Sequence, residues 1–225
     1  MSWVSTFYGS SIGKKTIVAV TGAIMVLFLI GHMLGNLQVF AGPGTATEPA
    51  KLDEYAELLR FEIGILWAIR VALITTVVLH IITVVKLRAE NSAARGQNYA
   101  VRHYQRANAF SRSMFWGGLA LFAYIVYHIL HLTAGVAHAN LFEHGHVYAN
   151  VIRSFQQPLI AGVYVVATVC LYFHLFHGVV SLFQTLGVSH PRHLQAVEKF
   201  GHALAAIIVI GFASVPIGVL LGVVK

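Results

Sequence analysis

The chain is poor in acidic residues, in cysteine and in charge of any kind. Only 10% of its 225 residues are charged, and Asp and Glu together number 8. All of these acids lie at or beyond the ends of the long apolar segments, which excludes a carboxylate-bridged di-iron centre inside a bundle. The single cysteine, Cys170, excludes an intramolecular disulfide and a cysteine-ligated iron–sulfur cluster.

Apolar residues are abundant instead, at 57% of the sequence. They form five long segments, each able to cross roughly 30 Å of hydrocarbon as a helix. The first is longer than a signal-peptide core and has no evident cleavage site, so we expect it to be retained. The sequence therefore predicts an all-α integral membrane protein with one transmembrane domain. Its predicted spans are residues 16–40, 63–86, 114–137, 158–186 and 202–224.

The basic residues are distributed unequally between the two sides of these spans. The N-terminal side carries Lys14, Lys15, Lys86, Arg88, Arg95, Arg102, Arg106, Arg112, Arg192 and Lys199. The opposite side carries only Lys51, Arg60, Arg153 and Lys225. By the positive-inside rule, the N-terminus is cytoplasmic and the C-terminus lies outside, in a bacterial inner membrane. The net charge of +7 thus reflects topology and not nucleic-acid binding.

Three connecting segments have patterns of their own. Residues 49–60 and 147–155 place apolar side chains on one helical face, which predicts two short helices at the outer interface. The cytoplasmic loop, residues 87–113, combines basic and aromatic residues. Such a charged face is suited to docking a soluble protein partner.

Four spans carry histidines in apolar surroundings: His32, His80, His128 and His174. An ionisable side chain at membrane depth is costly unless it has a partner, which marks these residues as functional candidates. Converted to height above the cytoplasmic face, His32 and His128 lie at roughly 21–23 Å, and His80 and His174 at roughly 9–18 Å. We call His32 and His128 the outer pair, and His80 and His174 the inner pair.

Two pairs at two heights indicate two haems, since an octahedral haem iron takes one axial imidazole from each face. A zinc site would favour cysteine and a cluster at a single height. Each of the motifs His128-x-x-His131 and His174-x-x-His177 places two imidazoles on one helix face. His131 and His177 therefore remain alternative ligands. Small residues at Thr21-Gly22 and Gly117-Gly118, about ten residues before His32 and His128, would let a helix or a flat macrocycle approach closely.

These segments resemble those of a known family, the single-chain, five-span, two-haem cytochrome b anchor of succinate dehydrogenase and fumarate reductase. The resemblance covers nearly the whole chain. It is carried by Thr21-Gly22 through Gly31-His32-Met33, by Val77 through His80, by Gly118 through His128 and by Pro158 through Phe183. It implies that His80 and His174 hold the haem b nearer the cytoplasm, and His32 and His128 the outer haem b. It favours His174 over His177 because Gly178 follows His174 by four residues.

The resemblance also implies partners and a substrate. A flavoprotein subunit and an iron–sulfur subunit would dock on the cytoplasmic side and pass electrons through this anchor to a membrane quinone, with menaquinone preferred. FAD and iron–sulfur clusters would belong to those subunits, since this chain has no glycine fingerprint for dinucleotides. A higher oligomer of the complex is also possible within this family.

Residues for the quinone are predicted from depth alone. Arg70, Glu62 and His131 lie near the outer ends of their spans and are the candidates for a quinone site. The candidate contacts of haem propionates are Arg153, Arg112 and Lys15.

Two other classes of protein share some of these features. Haem b subunits of formate dehydrogenases or hydrogenases also use histidines within the membrane. A histidine-relay transporter of protons or ions would do so too, but it predicts helices broken by Gly or Pro near the midplane. Only Pro216, in a span without central histidines, approaches that pattern.

Overall fold

The computed structural model describes residues 3–45, 47–94, 109–188 and 190–225, and within these ranges it contains helices and no strand. The α-helices are α1 (Trp3–Gly9), α2 (Ser11–Asn36), α3 (Lys51–Phe61), α4 (Ile63–Ala93), α5 (Ala109–His128), α6 (Val147–Phe155), α7 (Pro158–Thr185) and α8 (Pro191–Leu220). Short 3₁₀ segments lie at Leu37–Ala41 and Ala139–Leu141, and a π-helical segment at Ile129–Thr133. Five helices in the described ranges are long and apolar enough to cross a membrane. The prediction of an all-α, multi-pass membrane protein is confirmed.

Capping groups place several helix ends away from the predicted limits of the spans. The α2 helix begins at Ser11, and not near residue 16, because Ser10 Oγ accepts a hydrogen bond from the Gly13 N–H at 2.9 Å. The α8 helix begins at Pro191, about three turns before residue 202, with proline at its first position. The third span ends at Thr133 and not at 137, just before Gly135 with a φ of +68°.

The central helix of the bundle is α7, which packs against α8, α5 and α2. The α2 helix in turn packs against α4 and α8. A buried cluster between α2, α7 and α8 contains Met33, Leu175, Phe176, Ala205 and Ile208. Small residues bring α8 close to α7, since a Cβ atom on Gly201 would lie 3.5 Å from the Phe176 ring.

The two predicted interfacial helices correspond to α3 and α6, and α6 closes one end of the bundle. Its residues Val151 and Phe155 are buried against the ends of α7 and α8. The Tyr148 N–H donates to Asp53 Oδ1 at 2.9 Å, which joins α6 to α3. Burial raises the pKa of the Tyr148 phenol, so it stays protonated and donates to the Lys225 carbonyl at 2.8 Å. These contacts fix α6 above the spans.

A buried lysine links three helices at the opposite end of the bundle. Lys14, only 1% exposed, donates to the Gly9 carbonyl at 2.8 Å and pairs with Glu90 at 3.0 Å. These bonds connect α1, α2 and α4. The predicted basic loop overlaps α4, which continues to Ala93, and the Arg88 guanidinium lies 4.2 Å from the centre of the Phe115 ring. Residues 95–108 of that loop lie outside the described residues.

Candidate functional site

The structure brings the four histidines together as two separate pairs. The ring centres of His32 and His128 are 5.8 Å apart, and those of His80 and His174 are 6.4 Å apart. The outer pair joins α2 to α5, and the inner pair joins α4 to α7. Both pairs therefore bridge helices across the bundle interior.

The two pairs lie at different levels of the bundle. The α2 and α5 helices show this, because each has a histidine of the outer pair and a glycine beside the inner pair. Gly22 of α2 faces His80, and a Cβ atom there would lie 3.7 Å from His80 Cε1. Gly118 of α5 faces His174, and its Cβ would lie 3.4 Å from His174 Cε1. Since His32 and His128 follow these glycines by ten residues on the same helices, the levels are about 15 Å apart along the helix axes.

Thr21 sets the tautomer of His80. The Thr21 hydroxyl donates to the Ile17 carbonyl at 2.7 Å, as a threonine in a helix commonly does. It can then act only as an acceptor for His80 Nδ1, which lies 3.0 Å away. The proton on His80 is thus assigned to Nδ1, and the Nε2 lone pair is left for another ligand.

Two buried polar atoms in the described ranges have no hydrogen-bond partner, and both lie on helices of the inner pair. They are His174 Nδ1 and Thr83 Oγ1, the latter one turn beyond His80 on α4. Buried polar groups are nearly always paired in native structures, so each such exception needs an explanation. Metal binding through His174 Nε2 would leave Nδ1 unpaired, so these two exceptions mark an unsatisfied region and do not identify an occupant.

The outer pair lies beside a hydrogen-bonded network. Tyr164 Oη of α7 is 3.3 Å from His128 Nδ1 and 2.9 Å from His131 Nδ1. His131 Nε2 is in turn 3.0 Å from Ser154 Oγ of α6. His131 is only 1% exposed, and both of its ring nitrogens are engaged by protein groups. In this arrangement His128, and not His131, has a ring nitrogen available to a metal opposite His32.

Irregular backbone follows His128. The segment Ile129–Thr133 is π-helical, with the Ala134 N–H bonded to the Ile129 carbonyl at 2.8 Å. Single π-turns of this kind occur frequently at functional sites. Here the π-turn contains His131, the residue that links α5 to α6 through Ser154.

The other quinone-site candidates lie apart from this network. The Arg70 guanidinium lies over the Trp67 ring, 5.1 Å from its centre. Glu62 is exposed at the junction of α3 and α4. Among the described residues, neither side chain has a hydrogen bond or ion pair with the outer pair.

The predicted propionate contacts are also dispersed. Lys15 is exposed near the start of α2. Arg153 on α6 pairs with Glu143 at 3.1 Å. The side chain of Arg112 lies outside the described residues. The alternative ligand His177 is partly buried one turn beyond His174.

Metal binding by these pairs can be tested against their spacing. Two imidazoles that bind one first-row metal ion from opposite sides, at about 2 Å each, have ring centres about 6 Å apart. The observed separations of 5.8 and 6.4 Å agree with this value. No three His, Cys, Asp or Glu side chains converge as a metal cluster in the part of the chain that the structure describes. Each pair thus offers two imidazoles at a spacing that one metal ion could bridge.

Two polar partners of the histidines, Tyr164 and Ser154, had no assigned role in the sequence predictions, and Thr21 had been assigned only a role in close packing. Tyr164 precedes His174 on α7 by ten residues, the same offset that separates Gly22 from His32 and Gly118 from His128. That shared offset is a signal that could have placed Tyr164 at the level of the outer pair. Ser154 had no comparable signal, since its position depends on how α6 packs over the spans.

Comparisons with protein-family models, with curated proteins and with solved structures give no match.

Because His131 bonds both Tyr164 and Ser154, we expect removal of its imidazole to lower the stability of the protein. The variant His131→Phe keeps a ring of similar size but leaves the Tyr164 and Ser154 hydroxyls without this partner. We expect it to destabilise the protein by about 1–3 kcal/mol, measured by thermal unfolding in detergent.

The matched control is His144→Phe, the same change at an exposed loop histidine that contacts the Phe142 ring and lies outside the hydrogen-bonded network of His131. We expect a change below about 0.5 kcal/mol. Equal unfolding temperatures for the two variants would contradict the structural role of His131.

Proposed function

We propose that this chain is the di-haem cytochrome b membrane anchor of a succinate:quinone oxidoreductase. The observation that carries the proposal is the pairing of four membrane-embedded histidines across the bundle at two levels, with ring centres 5.8 and 6.4 Å apart. The resemblance described above implies the same two pairs. Haem b, when bound between such imidazoles, supplies a one-electron carrier.

The surroundings of the inner pair fit a flat macrocycle. Gly22 and Gly118 present only hydrogen atoms beside the rings of His80 and His174, where longer side chains would fill the space. The unpartnered His174 Nδ1 lies at the same level. Thr21 holds His80 in the tautomer whose Nε2 is free to bind iron.

Each side chain then has a distinct role. His80 and His174 would hold the haem nearer the N-terminal side, and His32 and His128 would hold the other. Phe28 and Phe212 pack beside His32, with ring centres 5.3 and 5.7 Å away, and give that site an apolar surrounding. A separation of about 15 Å between the pairs extends across much of the bilayer.

The rest of the complex is assigned by resemblance and charge. The N-terminal side, rich in Lys and Arg, would face the cytoplasm of a bacterium and dock the iron–sulfur subunit, with the flavoprotein subunit beyond it. The quinone, with menaquinone preferred, would be reduced near the outer pair. Of the three quinone candidates, His131 lies closest to that pair through Tyr164.

Helix continuity supports an electron carrier over a histidine-relay transporter. Such transporters use helices broken at the substrate site. Here α2, α4 and α7 continue without interruption past His32, His80 and His174. After His128 the backbone becomes π-helical at Ile129–Thr133, a segment that contains neither Gly nor Pro. The proline within a span, Pro216, is buried in α8, which carries none of the four paired histidines.

The proposal predicts the haem content of single variants. The detergent-purified wild-type chain should bind two haems b, and His32→Ala and His174→Ala should each lose one. The measurement is a pyridine haemochrome assay together with a reduced-minus-oxidised spectrum.

The matched control is His202→Ala. His202 is also an imidazole on a span, but it bonds Tyr172 at 2.9 Å and stacks on Phe176 instead of facing another histidine. This variant should retain both haems. Loss of haem from the control alone, or from none of the variants, would refute the assignment of ligands.

A second prediction concerns the glycine beside the inner pair. Gly118→Leu should exclude the inner haem and leave the outer one, since the new side chain would occupy the space beside His174. Gly117→Leu is the control, because a Cβ atom there meets nothing within 4 Å. The same haem assay distinguishes them, and equal haem content in both would contradict the fit.

A third prediction concerns the electron donor. Added to native membranes that contain the complex, succinate should reduce the haems of this chain, whereas formate and hydrogen should not. The measurement is the change in absorbance of the haem α-band, corrected with membranes that lack the chain. Reduction by formate or hydrogen, and not by succinate, would reassign the chain to a different respiratory complex.

A further inference from the structure

We propose that Tyr164 is a positioning residue for the outer pair: its hydroxyl orients His128 and passes a directed hydrogen-bond chain through His131 to Ser154. The inference rests on the proposed function, because the direction of the chain follows from metal binding at His128. It assigns roles to residues on three separate elements, α7, the π-helical segment and α6.

The direction can be derived atom by atom. If His128 Nε2 binds a metal, His128 Nδ1 carries the proton and must donate it to Tyr164 Oη, 3.3 Å away. The Tyr164 hydroxyl proton is then free for the other neighbour of Tyr164 Oη, His131 Nδ1, at 2.9 Å. His131 Nδ1 is thereby an acceptor, so its proton lies on Nε2 and is donated to Ser154 Oγ at 3.0 Å. One ligand bond thus fixes every proton in the chain.

Packing holds the Tyr164 hydroxyl in this position. The residue is 5% exposed, and its ring makes edge contacts with Tyr124 and Phe155 at centre distances of 5.2 and 4.8 Å. Few alternative partners are available to a hydroxyl enclosed in this way. The phenol therefore acts as a fixed acceptor for His128.

The chain has an electronic consequence for the ligand. An acceptor on Nδ1–H makes an imidazole more basic at its metal-binding nitrogen. The acceptor strength of Tyr164 is increased because its own proton is donated onward, and hydrogen bonds in series polarise one another. A more basic ligand favours ferric over ferrous iron and lowers the reduction potential of the outer site.

The inner pair has a shorter hydrogen-bond chain that does not involve Tyr164. His80 donates to the Thr21 hydroxyl, whose proton goes to the Ile17 carbonyl, and His174 Nδ1 has no partner in the described part of the chain. The effect of Tyr164 should therefore be confined to one of two sites.

The experiment is a redox titration of both haems in the purified protein, followed optically. Tyr164→Phe removes the hydroxyl and keeps the ring. The control is Tyr172→Phe on the same helix, because the Tyr172 hydroxyl bonds His202 at 2.9 Å, away from both pairs. The haem lost in His32→Ala identifies the outer site in the spectrum.

The expected result is a higher midpoint potential of the outer haem in Tyr164→Phe, with the inner haem and the control unchanged. Unaltered potentials in Tyr164→Phe, or equal shifts of both haems, would overturn the inference while leaving the proposed function intact. A wild-type chain without haem would instead overturn the proposed function and this inference together.

A second variant covers the case in which Tyr164→Phe does not retain haem. Ser154→Ala removes only the far end of the chain, so it should raise the outer potential by a smaller amount. No shift in this variant would likewise overturn the inference.

Discussion

An imidazole within a bilayer needs polar partners. The packing of the described helices supplies such partners to the paired histidines. A polar ring that faced lipid would lose its hydrogen bonds to water and gain nothing in return. Here each of four rings faces another across the bundle interior, at 5.8 Å in one pair and 6.4 Å in the other. The remaining nitrogens that have protein partners bind hydroxyl groups, Thr21 for His80 and Tyr164 for His128. The paired rings thus connect the packing of the helices to the electron transfer that we propose.

The two levels follow from the same ten-residue spacing on two helices. Gly22 precedes His32, and Gly118 precedes His128, by ten residues, which corresponds to a rise of about 15 Å along a helix. Because neighbouring spans run in opposite directions, His80 and His174 meet the glycines and not the other histidines. The inner level therefore has its histidines on α4 and α7 and its glycines on α2 and α5. Substitution of a single glycine should then affect one level alone.

Much of the fold was predictable from the sequence, because hydropathy and length determine which segments span a membrane. Histidine depth also predicted which two residues would form each pair. Helix ends were less predictable: α8 begins at Pro191 through a proline and a capping histidine that do not alter hydropathy. At the outer pair, the ten-residue offset between Tyr164 and His174 could have placed Tyr164 at the right level, but the hydrogen bonds of the network could not be predicted. They depend on the π-turn after His128 and on how α6 brings Ser154 over the spans.

We propose that each of the two histidine pairs holds one haem. A low-temperature EPR spectrum of the oxidised, detergent-purified chain tests this assignment. Two haems held in this way should give two low-spin ferric signals typical of bis-imidazole ligation, together equivalent to two spins per chain. A high-spin signal, a single low-spin signal or no haem signal would contradict it.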